Sequence, residues 1–256
     1  MRVDLHVHTS RYSPCGRSSP EEMVARAREV GLDGLVLTEH NVLWPEDEVM
    51  ALRRQFPGLV ILRGIEVTSS AGDDFLVYGV TDPHLFSPRM DGRELVRRAH
   101  AAGGVVVLAH PYRYSDQVPP WLEEDPVDGV EVWSWNILGY AHGRAWELAR
   151  RLGAFALAAS DAHQVDVLGL YALQLQRPVA DERQLAQALR EGAFQVVLDQ
   201  PRLRALNAEI MTHLAQIRAL IAEGYPDETI RERVPHLSGT MLTGIRQGLD
   251  ITRPGG

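Results

Sequence analysis

Short apolar runs alternate with amphipathic stretches along the first 200 residues. Val3 to His8 reads as a strand, and Ser19-Pro20-Glu21-Glu22 opens a helix. Ser19 can cap it, Pro20 suits its first position, and Glu22 completes a capping box. Val24, Ala27, Val30 and Leu32 follow at near-helical spacing, with Gly31 ending the element. The same logic predicts strands over 34–38, 59–67, 75–80, 105–109, 129–133, 155–159, 171–176 and 195–198. Helices are expected over 46–55, 93–102, 142–152 and 182–190.

Strands alternating with helices predict βαβ units and a mainly parallel sheet. Near-continuous apolar strands imply burial on both faces. Beyond Pro201 the rhythm changes. Leu203, Leu206, Ile210, Leu214, Ile217 and Ile221 form a helical stripe, broken at Gly224-Tyr225-Pro226-Asp227. A short helix then runs to Val234, Pro235 stops it, and Ser238 can cap a last helix ending near Leu249. The expected organisation is an α/β barrel over 1–200 and a small helical unit over 201–256. That unit carries seven Arg against six Asp and Glu, a charge near +1.

Composition narrows the classes. A net charge of −8 argues against a general nucleic-acid-binding surface. No apolar run approaches the roughly 18 residues of a membrane span. The first strand begins at Val3, so no signal peptide is expected, and the lone Cys15 predicts a reducing, cytoplasmic setting. All 26 basic residues are arginine. Schiff-base, phosphate-loop and carbamylated-lysine chemistries are therefore closed to this chain. A binuclear metal site would have to be bridged by a carboxylate or solvent.

Candidate chemistry sits where strands run out. Asp4-Leu5-His6-Val7-His8, Thr38-Glu39-His40, Ala109-His110-Pro111 and Ser160-Asp161-Ala162-His163 each end an apolar run, as does Gly64-Ile65-Glu66. Five of the ten histidines lie in these motifs. His6 and His8, two apart on a strand, leave the same face and can chelate one ion. Imidazole and carboxylate ligands suit Zn, Mn or Fe(II). Ligands at the carboxyl ends of many strands are the habit of a barrel. Glu66 is the candidate bridge between ions. Asp4 is expected behind the ligands, and Glu39, alternating with His40, is expected to face away.

As a set, H-x-H, T-[D/E]-H, G-x-E, A-H-P and S-D-x-H in this order resemble the polymerase-and-histidinol-phosphatase (PHP) domain over residues 1 to 198. The resemblance implies a distorted (β/α)7 barrel holding two or three divalent ions, with a helical appendage in this chain. It implies that His6, His8, Glu66 and Asp161 bind the first ion. Glu66 and His110 would help bind a second, and His40 and His163 a third. It also implies hydrolysis of phosphate esters, from small phosphomonoesters to nucleotides and nucleic-acid ends.

Two positions depart from the family pattern. Where relatives carry Asp or His after H-x-H, Cys15 stands nearest that role, and a thiolate there would favour Zn or Fe over Mn. The plainer alternative is a small buried residue. The Asn of an E-V-x-N stretch is displaced, here to Asn136 of Glu131-Val132-Trp133-Ser134-Trp135-Asn136.

The expected reaction is two-metal hydrolysis, in which metal lowers the pKa of water to about 7 and the resulting hydroxide attacks phosphorus in line. His163 and His110 are candidate acid or base residues, and Arg11 and Arg113 candidate phosphate holders. His84, His100, His142, His213 and His236 are expected to be packing or surface groups, and Trp133, Trp135 and Trp146 core or rim. The expected partner is a small phosphorylated substrate or nucleotide, with no stable nucleic-acid binding and no membrane. Two rivals stand beside this reading. One is an amidohydrolase-like C–N hydrolase, which also starts from H-x-H. The other is a regulatory protein with a non-catalytic metal site. In that case the C-terminal helices would carry the function, residues 223–230 followed by 234–237 being similar to small helix-turn-helix modules. Capping of the barrel or self-association is the expected role of the C-terminal helices.

Overall fold

A computed structural model describes residues 1–234 and 237–255. Among these residues the strands are β1 (Arg2–Val7), β2 (Gly34–Leu37), β3 (Val60–Thr68), β4 (Asp74–Tyr78), β5 (Val105–Leu108), β6 (Gly129–Trp133), β7 (Phe155–Ala158), β8 (Tyr171–Leu175) and β9 (Phe194–Leu198). The helices are α1 (Pro20–Glu29), α2 (Glu46–Gln55), α3 (Gly92–Ala101), α4 (Gly139–Leu152), α5 (Glu182–Arg190), α6 (Gln200–Ala222), α7 (Asp227–Arg233) and α8 (Gly239–Gln247). The capping box at Ser19 and Glu22 forms as expected. Pro235 and its expected role as a helix stop, like His236, lie outside the described residues.

The strands make one sheet in the order β7-β6-β5-β4-β3-β2-β1-β8-β9. It curls until β7 approaches β8 and β9, giving a nearly closed barrel. Two parallel trios, β1–β2–β3 and β5–β6–β7, follow the expected βαβ pattern. β4 is antiparallel to both neighbours, and β8 is antiparallel to β1 and β9. The sheet is thus mixed rather than mainly parallel. Only residues 69–73 separate β3 from β4, too few for the crossover that a parallel pair requires.

Closure at the carboxyl end places the chemistry. Just past β7, Ala162 bridges Val7 in parallel: the His8 N–H donates to the Ala162 carbonyl at 2.8 Å, and the Ala162 N–H to His6 at 3.0 Å. A second bridge joins His40 to Glu66. Two pieces of backbone pairing therefore bring four motifs to one mouth.

The helical unit buries Ile210, Ile217, Ile230, Val234, Met241 and Leu242 against one another and against Leu138, which precedes α4. Its final residues tie to the barrel. The Gly139 and Tyr140 N–H groups donate to Thr252 and Asp250, and the Tyr171 hydroxyl to Pro254. Among the described residues no helix is long and apolar enough to cross a membrane.

Candidate metal centre

His6 and His8 are fully buried at the end of β1. Glu131, in the middle of β6, accepts from His6 Nδ1 at 3.0 Å. Ser13 gives its own proton to Glu39 at 2.5 Å, so its oxygen accepts from His8 Nδ1 at 3.1 Å. This network assigns the Nδ1–H tautomer to both rings. Each then turns an Nε2 lone pair inward, and the two nitrogens stand 2.9 Å apart. Two lone pairs at that distance need a shared cation or a proton.

Two carboxylates face the same point. Glu66 places Oε1 3.0 Å from His110 Nε2, and Oε2 2.7 Å from His40 Nδ1 and 3.2 Å from His8 Nε2. Asp161 Oδ1 lies 3.4 Å from the Nε2 atoms of both His6 and His8, and 3.5 Å from His163 Nδ1. Glu66 Oε2 and Asp161 Oδ1 are buried without a well-directed hydrogen bond, faced by imidazole nitrogens. Buried oxygens in that condition are costly unless a cation meets them.

Among the described residues four sets of ligand atoms lie within 4.8 Å of one another: His6-His8-Glu66, His6-His110-Asp161, Glu66-Asp74-His110 and His8-His40-His163. The sets share Glu66, His6, His8 and His110, as ligands of adjacent cations would. The donor set and its orphaned oxygens fit divalent metal ions.

Electrostatics agree with the geometry. Burial opposes charge on Glu66, but His6, His110 and His40 hold its pKa well below the usual value. Burial likewise opposes charge on Asp161, and His6 and His163 overcome it. His6 is desolvated, yet Asp161, Glu131 and Glu66 raise it well above an ordinary histidine. The carboxylates remain anionic and demand positive charge between them.

The strands end abruptly where ligands are needed. His110 (φ 24°) and Asp161 (φ 49°) both occupy positive φ, strained for non-glycine residues and concentrated at functional sites. Supporting groups hold these turns. The His110 N–H donates to Glu131 at 2.8 Å. Asp4, fully buried, accepts from the N–H groups of Ser160 and Gly169, each at 2.9 Å, and so stands behind the ligands as expected.

Other expectations meet differing outcomes. Glu39 faces away from the ligand cluster but is fully buried, accepting from Thr9, Ser13 and Trp44 to organise the 9–16 loop. Cys15 is exposed at the rim rather than a small buried residue. Burial opposes its ionisation, but His163 and His40 bring its pKa down to about 6. Arg11 does not reach the cluster. It pairs with Glu48 at 3.0 Å and lines a separate cleft with Trp44 and Glu48, because the acidic first turn of α2 captures its guanidinium. Arg113 does reach the mouth, 3.4 Å from Asp161 Oδ2. Asn136, despite its displacement in sequence, donates to the same oxygen at 2.5 Å.

Two residues matter here beyond the candidate set. Glu131 lies inside the apolar strand Gly129-Val130-Glu131-Val132-Trp133, where a glutamate is itself a signal of a partnered buried charge. Asp74 joins Glu66 and His110 across the β3–β4 hairpin, which an expected parallel sheet concealed. Of the other histidines, His100 pairs with Asp128 and His142 donates to Val132, both away from the cluster. Trp133 packs edge-on against Trp146 at 4.9 Å, as rim packing requires.

Comparisons with known proteins follow the same line. The PHP-associated family matches residues 139–194. A two-domain Bacteroides vulgatus protein containing a predicted PHP-like metal-dependent phosphoesterase superposes with a TM-score of 0.61 at 18% identity, over 78% of this chain and 65% of that one. The lesion-specific endonuclease Q of Pyrococcus furiosus gives 0.56 at 16% identity, over 77% of this chain and 58% of its own. A Chromobacterium violaceum amidohydrolase with bound sulfate gives 0.55 at 18% identity, over 75% and 97%. This chain thus spans less than two thirds of the first two proteins.

Proposed function

We propose that this chain, whose barrel fold is shared with PHP-like phosphoesterases, hydrolyses phosphate esters with two or three divalent ions, Zn, Mn or Fe. The single observation behind this reading is the pair of buried, anionic oxygens on Glu66 and Asp161, ringed by imidazole nitrogens and without a well-directed hydrogen bond. His6, His8, His40, Glu66, His110, Asp161 and His163 would hold the ions, with Asp74 a further ligand beside Glu66 and His110. Cys15, beside His40 and His163, would add a thiolate to the outer ion. Ions bound there supply an acidified water and neutralise charge on the phosphoryl oxygens.

The chain's own groups do the rest. Glu131 fixes the tautomer of His6 and, through the His110 N–H, the turn that aims His110. Arg113 stands at the mouth, where its fork can take a phosphoryl oxygen. His163 and His110 are the alternative proton donors to a leaving alkoxide, whichever of the two holds no ion. A small phosphomonoester or nucleotide suits a cleft of about 530 Å³ at the cluster. Support for a second, nucleic-acid reading comes from the likeness to endonuclease Q, which is solved with duplex DNA carrying an abasic lesion. The amidohydrolase neighbour keeps the C–N reading in the test panel. Residues 201–256 serve as a cap on the barrel, because a charge near +1 suits DNA contact poorly.

Elemental analysis of the purified chain, with product release from phosphomonoesters, nucleotides, short oligonucleotides and amides in Mn and Zn, tests the proposal. Phosphate release that chelation abolishes is expected. Amide cleavage alone, or metal-loaded protein inert on every ester, would overturn it.

A further inference from the structure

Asp161 turns one carboxylate oxygen inward, toward His6 and His8. The other, Oδ2, accepts from the Asn136 amide at 2.5 Å, with Arg113 at 3.4 Å. A carboxylate tethered at one oxygen no longer rotates freely about its last bond, so Asn136 sets where Oδ1 points. Asn136 lies between β6 and α4, where no ladder or helix of its own fixes the backbone.

That connection is clamped peptide by peptide. The Trp135 N–H donates to the Ser160 carbonyl at 3.2 Å, and the Asn136 N–H to Ser134 Oγ at 3.2 Å. The Trp135 carbonyl shares a peptide unit with the Asn136 N–H, and it accepts from Nε of Arg253 at 3.4 Å. The same guanidinium lies 3.6 Å from the centre of the Trp135 ring.

Arg253 is itself held from three sides. Its N–H donates to Asn207 of α6 at 2.8 Å, and its carbonyl accepts from the same side chain at 3.0 Å. The next carbonyl, of Pro254, accepts from the Tyr171 hydroxyl of β8 at 3.0 Å. The helical unit that supplies this segment also lines the cleft at the ligand cluster, through Arg231 of α7, Val234 and Ser238.

Packing alone does not account for an arginine at this place. Arg253 is 2% exposed, and among the described residues its Nη1 finds no hydrogen-bond partner. A buried charge without partners is costly, and an apolar side chain would cover Trp135 without that desolvation. What an apolar side chain lacks is a donor for the Trp135 carbonyl.

Resting on the reading of the cluster as a metal centre, we propose that Arg253 is a positioning residue for that centre. Through Trp135 and Asn136 it fixes the carboxylate of Asp161, so the helical unit tunes metal binding as well as capping the barrel.

Titration of the full, metal-stripped chain with Mn against a chelating dye, paired with thermal melts, tests this. Arg253→Met keeps the cover on Trp135 but loses the donor. It should lower Mn affinity about tenfold, as far as Arg253→Ala does, while melting closer to wild type. Leu189→Ala, buried where α5 leads into β9 at the other end of the barrel, should melt lower yet bind Mn like wild type. Asn136→Ala should lower affinity as Arg253→Met does, and the double variant should lose no more, because both act on one carboxylate. Tyr171→Phe removes only the hydroxyl that holds Pro254, and it should show a smaller loss in the same direction.

Wild-type affinity in Arg253→Met overturns the proposal, as does full additivity with Asn136→Ala. Should both Arg253 variants fail to fold, wild-type affinity in Tyr171→Phe overturns it instead. Affinity that merely tracks melting temperature, Leu189→Ala included, assigns the loss to folding and overturns it too. Each of these leaves the metal centre standing. A wild-type chain that binds neither Mn nor Zn overturns both.

Discussion

Glu131 Oε1 stands 3.0 Å from His6 Nδ1, while the other oxygen of Glu131 accepts the His110 N–H at 2.8 Å. One buried carboxylate thus sets the proton of one ligand and the backbone turn of another. Replacing it by Gln leaves size unchanged but offers His6 a weaker, orientation-dependent acceptor. We expect Glu131→Gln to lower metal affinity about 10- to 100-fold. Competition against a chelating dye measures this, and wild-type affinity in the variant would refute the orienting role.

Metal removal should weaken the fold as well as the activity. Glu66 and Asp161 repel each other once the cations leave, and only protonated imidazoles can replace them. At metal concentrations about 100 times Kd, binding adds about 2.7 kcal/mol of stability. Thermal melts with graded Mn or Zn should climb with concentration, and Glu66→Ala should flatten that climb.

The Cys15 thiol offers a direct reading of the rim. His163 and His40 hold its pKa near 6, below the ordinary thiol value, so the thiolate form dominates at neutral pH in metal-free protein. Alkylation by iodoacetamide should rise through pH 6 rather than pH 9, since the nucleophile is the deprotonated form. Added Zn should protect the thiol. Unchanged reactivity in saturating Zn would remove Cys15 from the ligand set.

Gly16 packs so closely on the loop it closes that a Cβ would collide with the Thr9 carbonyl. The same loop carries Ser13, the partner of His8, and Cys15. Gly16→Ala should cost about 1–3 kcal/mol by overpacking. It should also weaken metal binding, as urea denaturation and dye competition would together reveal.

Arg253 is buried over Trp135, and burial lowers its pKa to about 9. Ala at this position removes the cover on the ring and the cation–π contact, a loss of about 1–3 kcal/mol. Met keeps the packing without the desolvated charge, so Arg253→Met should cost less than Arg253→Ala. Urea midpoints of the two variants give the order.

Much of this protein was written in linear order. Apolar runs closed by His and carboxylate motifs announced the barrel and seven of its ligand candidates, because strand burial and strand-end chemistry are local properties. The helix starts at Ser19 and Glu46 were equally legible, since caps and acidic first turns act within a few residues. What needed the tertiary structure was everything carried by pairing between distant segments. The antiparallel insertion of β4 brings Asp74 to Glu66, and the Val7–Ala162 bridge brings Asp161 to His6. Glu48 draws Arg11 away, and the returning tail seats Arg231 over the cleft. Residue type fixes what chemistry a position can do; register and closure fix which positions meet.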